Sequence, residues 1–191
     1  MRTVTYGGAC SLDGFIVGPD GAIDWLRSSK DADAIMSAYW ASIDTLVMGR
    51  KTWEVAANYM GGDRDAGITS YVFSRTLRSI DRPGVHLVSS DPGEFVRALK
   101  KQPGKDICVF GGGDLARSLF EAHVIDEVGF NVHPVLLGSG VPGLLDAHRR
   151  IDLALKECRQ LPGGCVYVLY RVKSATRGAS RPLHSRYQAI P

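Results

Sequence analysis

Short apolar runs punctuated by glycine, proline and aspartate recur along the chain, and their spacing predicts alternating strands and helices. Residues 3–10 read as a first strand, with Gly7 and Gly8 marking a close approach of some other group. The β-branched and apolar run at 45–48 predicts a second strand, and 71–73, 85–88 and 107–110 predict three more. Between them lie helical patterns. One spans 31–42, where Ile35, Met36, Tyr39 and Ile43 form a stripe. Another starts at Arg50. A third opens on Asp91-Pro92-Gly93-Glu94, with an acceptor at the cap, proline at the first position and glutamate at the third, and runs to about residue 101. A fourth covers 115–122.

Strands alternating with helices imply a mostly parallel sheet with helices on both faces, a three-layer α/β fold. The last third changes character. A strand is expected over 127–135, a turn over 137–142, and a hairpin of 151–158 with 165–172 around Leu161-Pro162-Gly163-Gly164. Antiparallel strands therefore close one edge of a mixed sheet. The loop at 11–24 is long and carries its own apolar patch, Phe15-Ile16-Val17, as lids and binding loops do. Gly61-Gly62-Asp63 begins a flexible link. Residues 1–173 are read as one domain and 174–191, with Arg177, Arg181 and Arg186 and few apolar residues, as a basic flexible tail.

Composition narrows the function classes. The 191 residues are 45% hydrophobic and 23% charged, enough for a core without staples. A net charge of +3, with no basic run interleaved with aromatics, argues against nucleic acid. Cys10, Cys108, Cys158 and Cys165 form no C-x-x-C pair, and the five histidines lack ligand spacing, so neither disulfides nor a metal is expected. The amino terminus lacks a signal-peptide core and no apolar run is long enough for a membrane span; a cytoplasmic protein is expected.

The candidate chemistry sits at strand ends. Phe110 is followed by Gly111-Gly112-Gly113-Asp114-Leu115, a strand, a bare turn and a helix start. Glycines let a ligand reach the main chain, and the helix aims unpaired N–H groups at it, a combination suited to a diphosphate. Gly49 breaks the second strand, and Arg50, Lys51 and Thr52 open the next helix. Cations are disfavoured at a helix start unless an anion is bound there. The third strand ends in Ser74-Arg75-Thr76, a hydroxyl and a planar fork for phosphate oxygens. Three such ends suit a dinucleotide bearing an extra 2′-phosphate. A glycine turn serving backbone geometry alone, or solvated surface cations, would account for any one of them singly.

Val47-Met48-Gly49-Arg50-Lys51-Thr52-Trp53-Glu54 and Val109 to Leu115, with Ser11-Leu12-Asp13-Gly14 and the segment from His133 to Pro142, resemble the dihydrofolate reductase-like fold, and in it the reductase domain of the bifunctional deaminase–reductase of riboflavin biosynthesis. The resemblance covers about residues 3–172. It implies NADPH as cofactor, held by Gly49, Arg50, Lys51 and Thr52, by a 2′-phosphate clamp of Ser74 and Arg75, and by a diphosphate turn of Gly111, Gly112, Gly113, Asp114 and Leu115. Gly8 and Ala9 match small residues beside the nicotinamide, and Asp13 and Ile16 lie in the matching mobile loop. It also implies a homodimer formed through the antiparallel edge strands.

The resulting expectation is an NADPH-dependent oxidoreductase acting on a small heterocycle of pyrimidine or pterin type, similar to 5-amino-6-(5-phosphoribosylamino)uracil reductase. The alternative is a dimeric nucleotide-binding module without catalysis. A phosphoryl-transfer enzyme is weaker, for want of a G-x-x-x-x-G-K-[ST] run. Asp33, fifteen residues before Met48, stands at a spacing similar to that of the catalytic carboxylate in dihydrofolate reductases, and Asp13 is the second acid candidate. Asp31 competes with Asp33 for the role of a solvated aspartate favouring the helix dipole. His133, before a proline, reads as a satisfied strand residue.

Overall fold

The computed structural model describes residues 1–19, 21–27, 30–57, 67–143 and 150–173. The expected link at 61–63 and the basic tail at 174–191 lie outside them.

The chain folds as β1 (Val4–Ser11), β2 (Phe15–Val17), α1 (Lys30–Ser42), β3 (Ile43–Gly49), α2 (Arg50–Ala56), β4 (Thr69–Phe73), β5 (Val85–Val88), α3 (Pro92–Leu99), β6 (Asp106–Phe110), α4 (Gly113–Glu121), β7 (Glu127–His133), β8 (Val141–Pro142), β9 (Leu153–Gln160) and β10 (Val166–Val172). The main sheet is ordered β5-β4-β3-β6-β1-β7-β10-β9. Its first six strands are parallel, and β10 runs antiparallel to β7 and β9. The mixed three-layer α/β fold and its antiparallel edge are as the sequence predicts.

Alternation along the strands builds two cores. Val4, Tyr6, Val47, Val109 and Phe130 point to the side where α3 contributes Val96 and Leu99 and α4 contributes Leu115, Leu119 and Phe120. Leu46, Met48 and Cys108 point to the other, under Tyr39 and Trp40 of α1 and Trp53 of α2. The cap of α3 is the one its sequence spells: the Asp91 carboxylate accepts the Glu94 N–H at 2.8 Å.

Buried cations secure the end where the parallel strands begin. Arg2 pairs with Asp44, and Lys100 Nζ lies 2.7 Å from Asp126, which also accepts the Val4 N–H at 2.8 Å. Among the described residues the opposite end carries no such buried ion pair, and the candidate chemistry collects there.

One pairing departs from expectation. The apolar patch of the 11–24 loop is strand β2, and it pairs with β8 in a small separate sheet. Among the described residues no helix is long and apolar enough to cross a membrane.

Candidate functional site

Because β1, β3, β4 and β6 run parallel, the chain segments leaving them line one rim. Register fixes their neighbours: Gly7 lies opposite Phe110, Val47 opposite Val109, and Gly49 opposite Phe73. Gly8 is solvent-exposed: it pairs with Phe130 of β7, but the pairing of β1 with β6 ends one residue earlier, at Gly7 opposite Phe110. The end of β6 thus opens a cleft beside a strand that continues. A Cβ built on Gly8 or on Gly49 would meet nothing within 4 Å, so both face open space. Ala9 beside Gly8 is half-buried.

The glycine turn folds as its composition requires. Gly111 and Gly112 have φ of 69° and 83°, in the left-handed region, and Gly113 begins α4. A Cβ on Gly111 would come within 3.2 Å of Thr52 Cγ2, and one on Gly112 within 3.7 Å of the Gly49 nitrogen. The two glycine-opened helices therefore start side by side, with Thr52 between them. Their caps, Gly49 and Gly112, make no side-chain hydrogen bond, in contrast to α3 with its Asp91. The first N–H groups of α2 and α4 are thus left without a side-chain acceptor.

Cations and hydroxyls surround this pair. Arg50 is half-exposed and bridges to Glu54 at 2.6 Å, while Lys51 and Arg75 are exposed. Ser74 is 9% exposed, and its Oγ accepts main-chain N–H groups from Thr76 at 3.2 Å and Leu77 at 3.0 Å. With both lone pairs taken it can only donate, and the acceptor beside it is Thr76 Oγ1 at 3.4 Å, a long bond that a ligand oxygen can replace. Asp114 pairs with Arg117 at 2.8 Å, and the Leu115 side chain belongs to the core, which leaves only its main chain for the turn.

The acid candidates separate. Asp33 stands exposed in the first turn of α1. Asp13 is a clamp: its carboxylate accepts from Ser11 Oγ at 2.6 Å and from the N–H groups of Leu137 and Gly138 at 3.1 and 2.8 Å. The Ser11 hydroxyl above all, with the Gly138 and Leu137 amides, holds the Asp13 carboxyl below its ordinary 3.8. Such a group is a poor proton donor near neutrality. The small β2–β8 sheet forms a flap with the Asp13 clamp beside it: Ile16 of β2 packs on Gly143, where a Cβ would meet Ile16 Cγ2, and Tyr6 donates its hydroxyl to the Gly143 carbonyl.

The clamp carries a pH sign. A carboxyl whose folded pKa is depressed contributes fully above its unfolded value, and that contribution is lost as pH falls through the lower folded value. The amides of Leu137 and Gly138 are therefore expected to keep slow hydrogen exchange down to about pH 4 and to lose it in more acid solution. Asp13→Ala should remove that protection at every pH. Unchanged exchange in the variant would show that the clamp does not hold the loop.

On the α1 side of the sheet lies a polar cluster that the sequence reading passed over. His133, 2% exposed, sits two residues beyond Asn131 on β7, so both share a face. Asn131 is opposite Ala9 on β1 and Tyr167 on β10. The His133 ring accepts the Arg27 main-chain N–H at Nδ1 (3.1 Å), has Cys165 Sγ 3.5 Å from the same nitrogen, and lies edge-on to Trp25. Burial, and then the Arg27 charge, hold its pKa below the usual value. It is the satisfied strand histidine that the sequence suggests. The alternation of β7, with Glu127, Gly129, Asn131 and His133 between Val128, Phe130 and Val132, was the available signal for a polar face. Among the described residues no group of three metal-ligating side chains gathers.

Comparison with known proteins agrees with this architecture. The family model of the RibD C-terminal domain matches residues 2–167. The uncharacterized protein YyaP of Bacillus subtilis (strain 168) is 34% identical over 181 residues, covering 89% of this chain and 95% of its own. Among solved structures, a Shewanella sp. PV-4 protein named for riboflavin biosynthesis superposes with a TM-score of 0.78 at 22% identity, over 91% of this chain and all of its own. A dihydrofolate reductase from Enterococcus faecalis, complexed with NADP(H), superposes with a TM-score of 0.64 at 17% identity, over 90% of this chain and 97% of its own. At these identities the structural likeness speaks for the fold.

Proposed function

Since this chain belongs to the family of RibD C-terminal domains, we propose that it is an NADPH-dependent reductase of a small heterocycle of pyrimidine or pterin type. One observation carries the reading: two adjacent helices at the rim start on glycines without a side-chain cap, beside exposed cations, while α3 caps itself with aspartate. Uncapped N–H groups facing open space suit phosphate oxygens.

In this reading Gly111, Gly112 and Gly113, with the main chain of Asp114 and Leu115, hold the diphosphate together with Gly49, Lys51 and Thr52. Arg75 and the Ser74 hydroxyl hold the 2′-phosphate, and Arg50 adds charge. The bare main chain at Gly8 and Ala9 receives a flat ring, and Ile16 in the flap covers it. When bound, the nicotinamide supplies a hydride. The chain orients the acceptor against it and limits access of water. Asp33 holds or passes the balancing proton at its carboxylate, while Asp13 positions the flap. A homodimer through β9 fits the exposed Leu153 and Leu155 of that edge strand.

The test is a fluorescence titration of the full chain with NADPH and NADH. Tighter binding of NADPH is expected, followed by its oxidation when a suitable heterocycle is added. Equal and negligible binding of both nucleotides would overturn the reading.

A further inference from the structure

The Asn131–His133 pair contains a conflict whose resolution points to a ligand. Two groups reach His133 Nδ1: the main-chain N–H of Arg27 at 3.1 Å and the Cys165 sulfur at 3.5 Å. A main-chain N–H can only donate, and a buried thiol offers its hydrogen to a nearby lone pair. Nδ1 is therefore unprotonated. The ring is buried beside the Arg27 charge and stays neutral, so its single hydrogen is on Nε2.

Nε2 lies 3.2 Å from Asn131 Nδ2. That sets a donor against a donor. The other end of the same amide, Oδ1, is buried and has no hydrogen-bond partner. Turning the amide by half a rotation resolves the first problem, because the oxygen then accepts from Nε2–H. It also moves the NH2 group into the buried position that lacks a partner. In either orientation one end of this amide is orphaned, and the histidine tautomer decides that it is the donor end. A buried polar group without a partner calls for one. Asn131 is itself only partly buried, and directly across from it on β1 is the half-buried Ala9, next to the exposed Gly8, with Tyr167 across on β10.

We propose that Asn131 selects the substrate: its NH2 group, oriented by the Nε2–H of His133, donates to a ring carbonyl oxygen of the heterocycle lying beside Ala9. The assignment rests on the reading of the site as a heterocycle reductase. His133 is a positioning residue in it, acting through the amide.

Two measurements on the full chain test it. Nitrogen-15 NMR of the imidazole, with no ligand added, reads the tautomer at neutral pH; Nε2–H is expected, and an Nδ1–H tautomer would overturn the assignment. Calorimetry then compares pterin with 2,4-diaminopteridine, which carries an amino group where pterin has a ring carbonyl, with and without saturating NADPH. Pterin is expected to bind about tenfold more tightly or better, the worth of one buried hydrogen bond. Asn131→Asp keeps the shape but accepts where asparagine donates, so the preference should reverse while NADPH affinity is unchanged. Equal affinities in the wild type, binding of neither compound, or an unreversed preference in a variant that still binds NADPH would each overturn the proposal. If pterin is preferred but NADPH does not bind, the reductase reading falls and the role of the amide stands.

Discussion

Gly7→Ala is expected to be the most damaging single methyl group that can be added to this protein. A Cβ there would lie 1.6 Å from the Gly129 carbonyl oxygen and 2.7 Å from its carbon. Both are main-chain atoms of the neighbouring strand β7, so no rotamer change relieves the overlap. The strands must separate, and Gly7 and Gly129 are paired in the interior of the main sheet, with strands on both outer sides. Overpacking a core costs about 1–3 kcal/mol where side chains can yield. A clash with backbone should cost at least about 3 kcal/mol, a large part of a typical stability of about 5–15 kcal/mol. Gly8→Ala is the control. Its added Cβ meets nothing within 4 Å, so its unfolding midpoint should stay close to wild type while nucleotide binding weakens. Urea denaturation of the two variants distinguishes them; equal midpoints would mean that β1 and β7 are not packed as described.

Arg75→Ala should weaken NADPH binding about 10- to 100-fold and leave NADH binding nearly unchanged. The range follows from about 1.5–3 kcal/mol for hydrogen bonds to a charged group. Arg75 is exposed at the end of β4, beside a Ser74 hydroxyl whose lone pairs are already taken by main-chain donors. That arrangement offers a phosphate a fork and an O–H that exchanges its long bond to Thr76 Oγ1 for one to the ligand. Arg50→Ala should cost less. Arg50 is bridged to Glu54, and an exposed pair of this kind is worth up to about 1 kcal/mol, which is given up when the guanidinium turns to a ligand. The NADPH to NADH affinity ratio, measured at fixed ionic strength, is the deciding quantity. A ratio unchanged by Arg75→Ala removes the 2′-phosphate assignment.

Much of the architecture was legible because it rests on local chemistry. Apolar runs announced β3, β4, β5 and β6, and Asp91-Pro92-Gly93-Glu94 announced α3 down to its capping bond. What escaped depends on partners far along the chain. β2 and β8 have three residues and two, too few for any periodicity, and they exist only because each finds the other. Gly7 and Gly8 look alike in sequence, yet one abuts a carbonyl and the other an open cleft. Asp13 reads as a free acid until the amides of Leu137 and Gly138 arrive to occupy it. Asn131 and His133 showed the spacing of strand neighbours, but not the Arg27 N–H that sets the tautomer.

The position of β1 also governs how the molecule can be made. β1 is synthesised before every other strand of its sheet, yet it is seated between β6 and β7, with Val4 against Ile107 and Thr5 against Glu127. More than a hundred residues must be synthesised before it has either neighbour. Such non-local closure is slow and leaves an apolar strand unpaired during synthesis. A nascent chain halted before β6 therefore has no seat for β1, and chaperone occupancy should peak over that interval of translation.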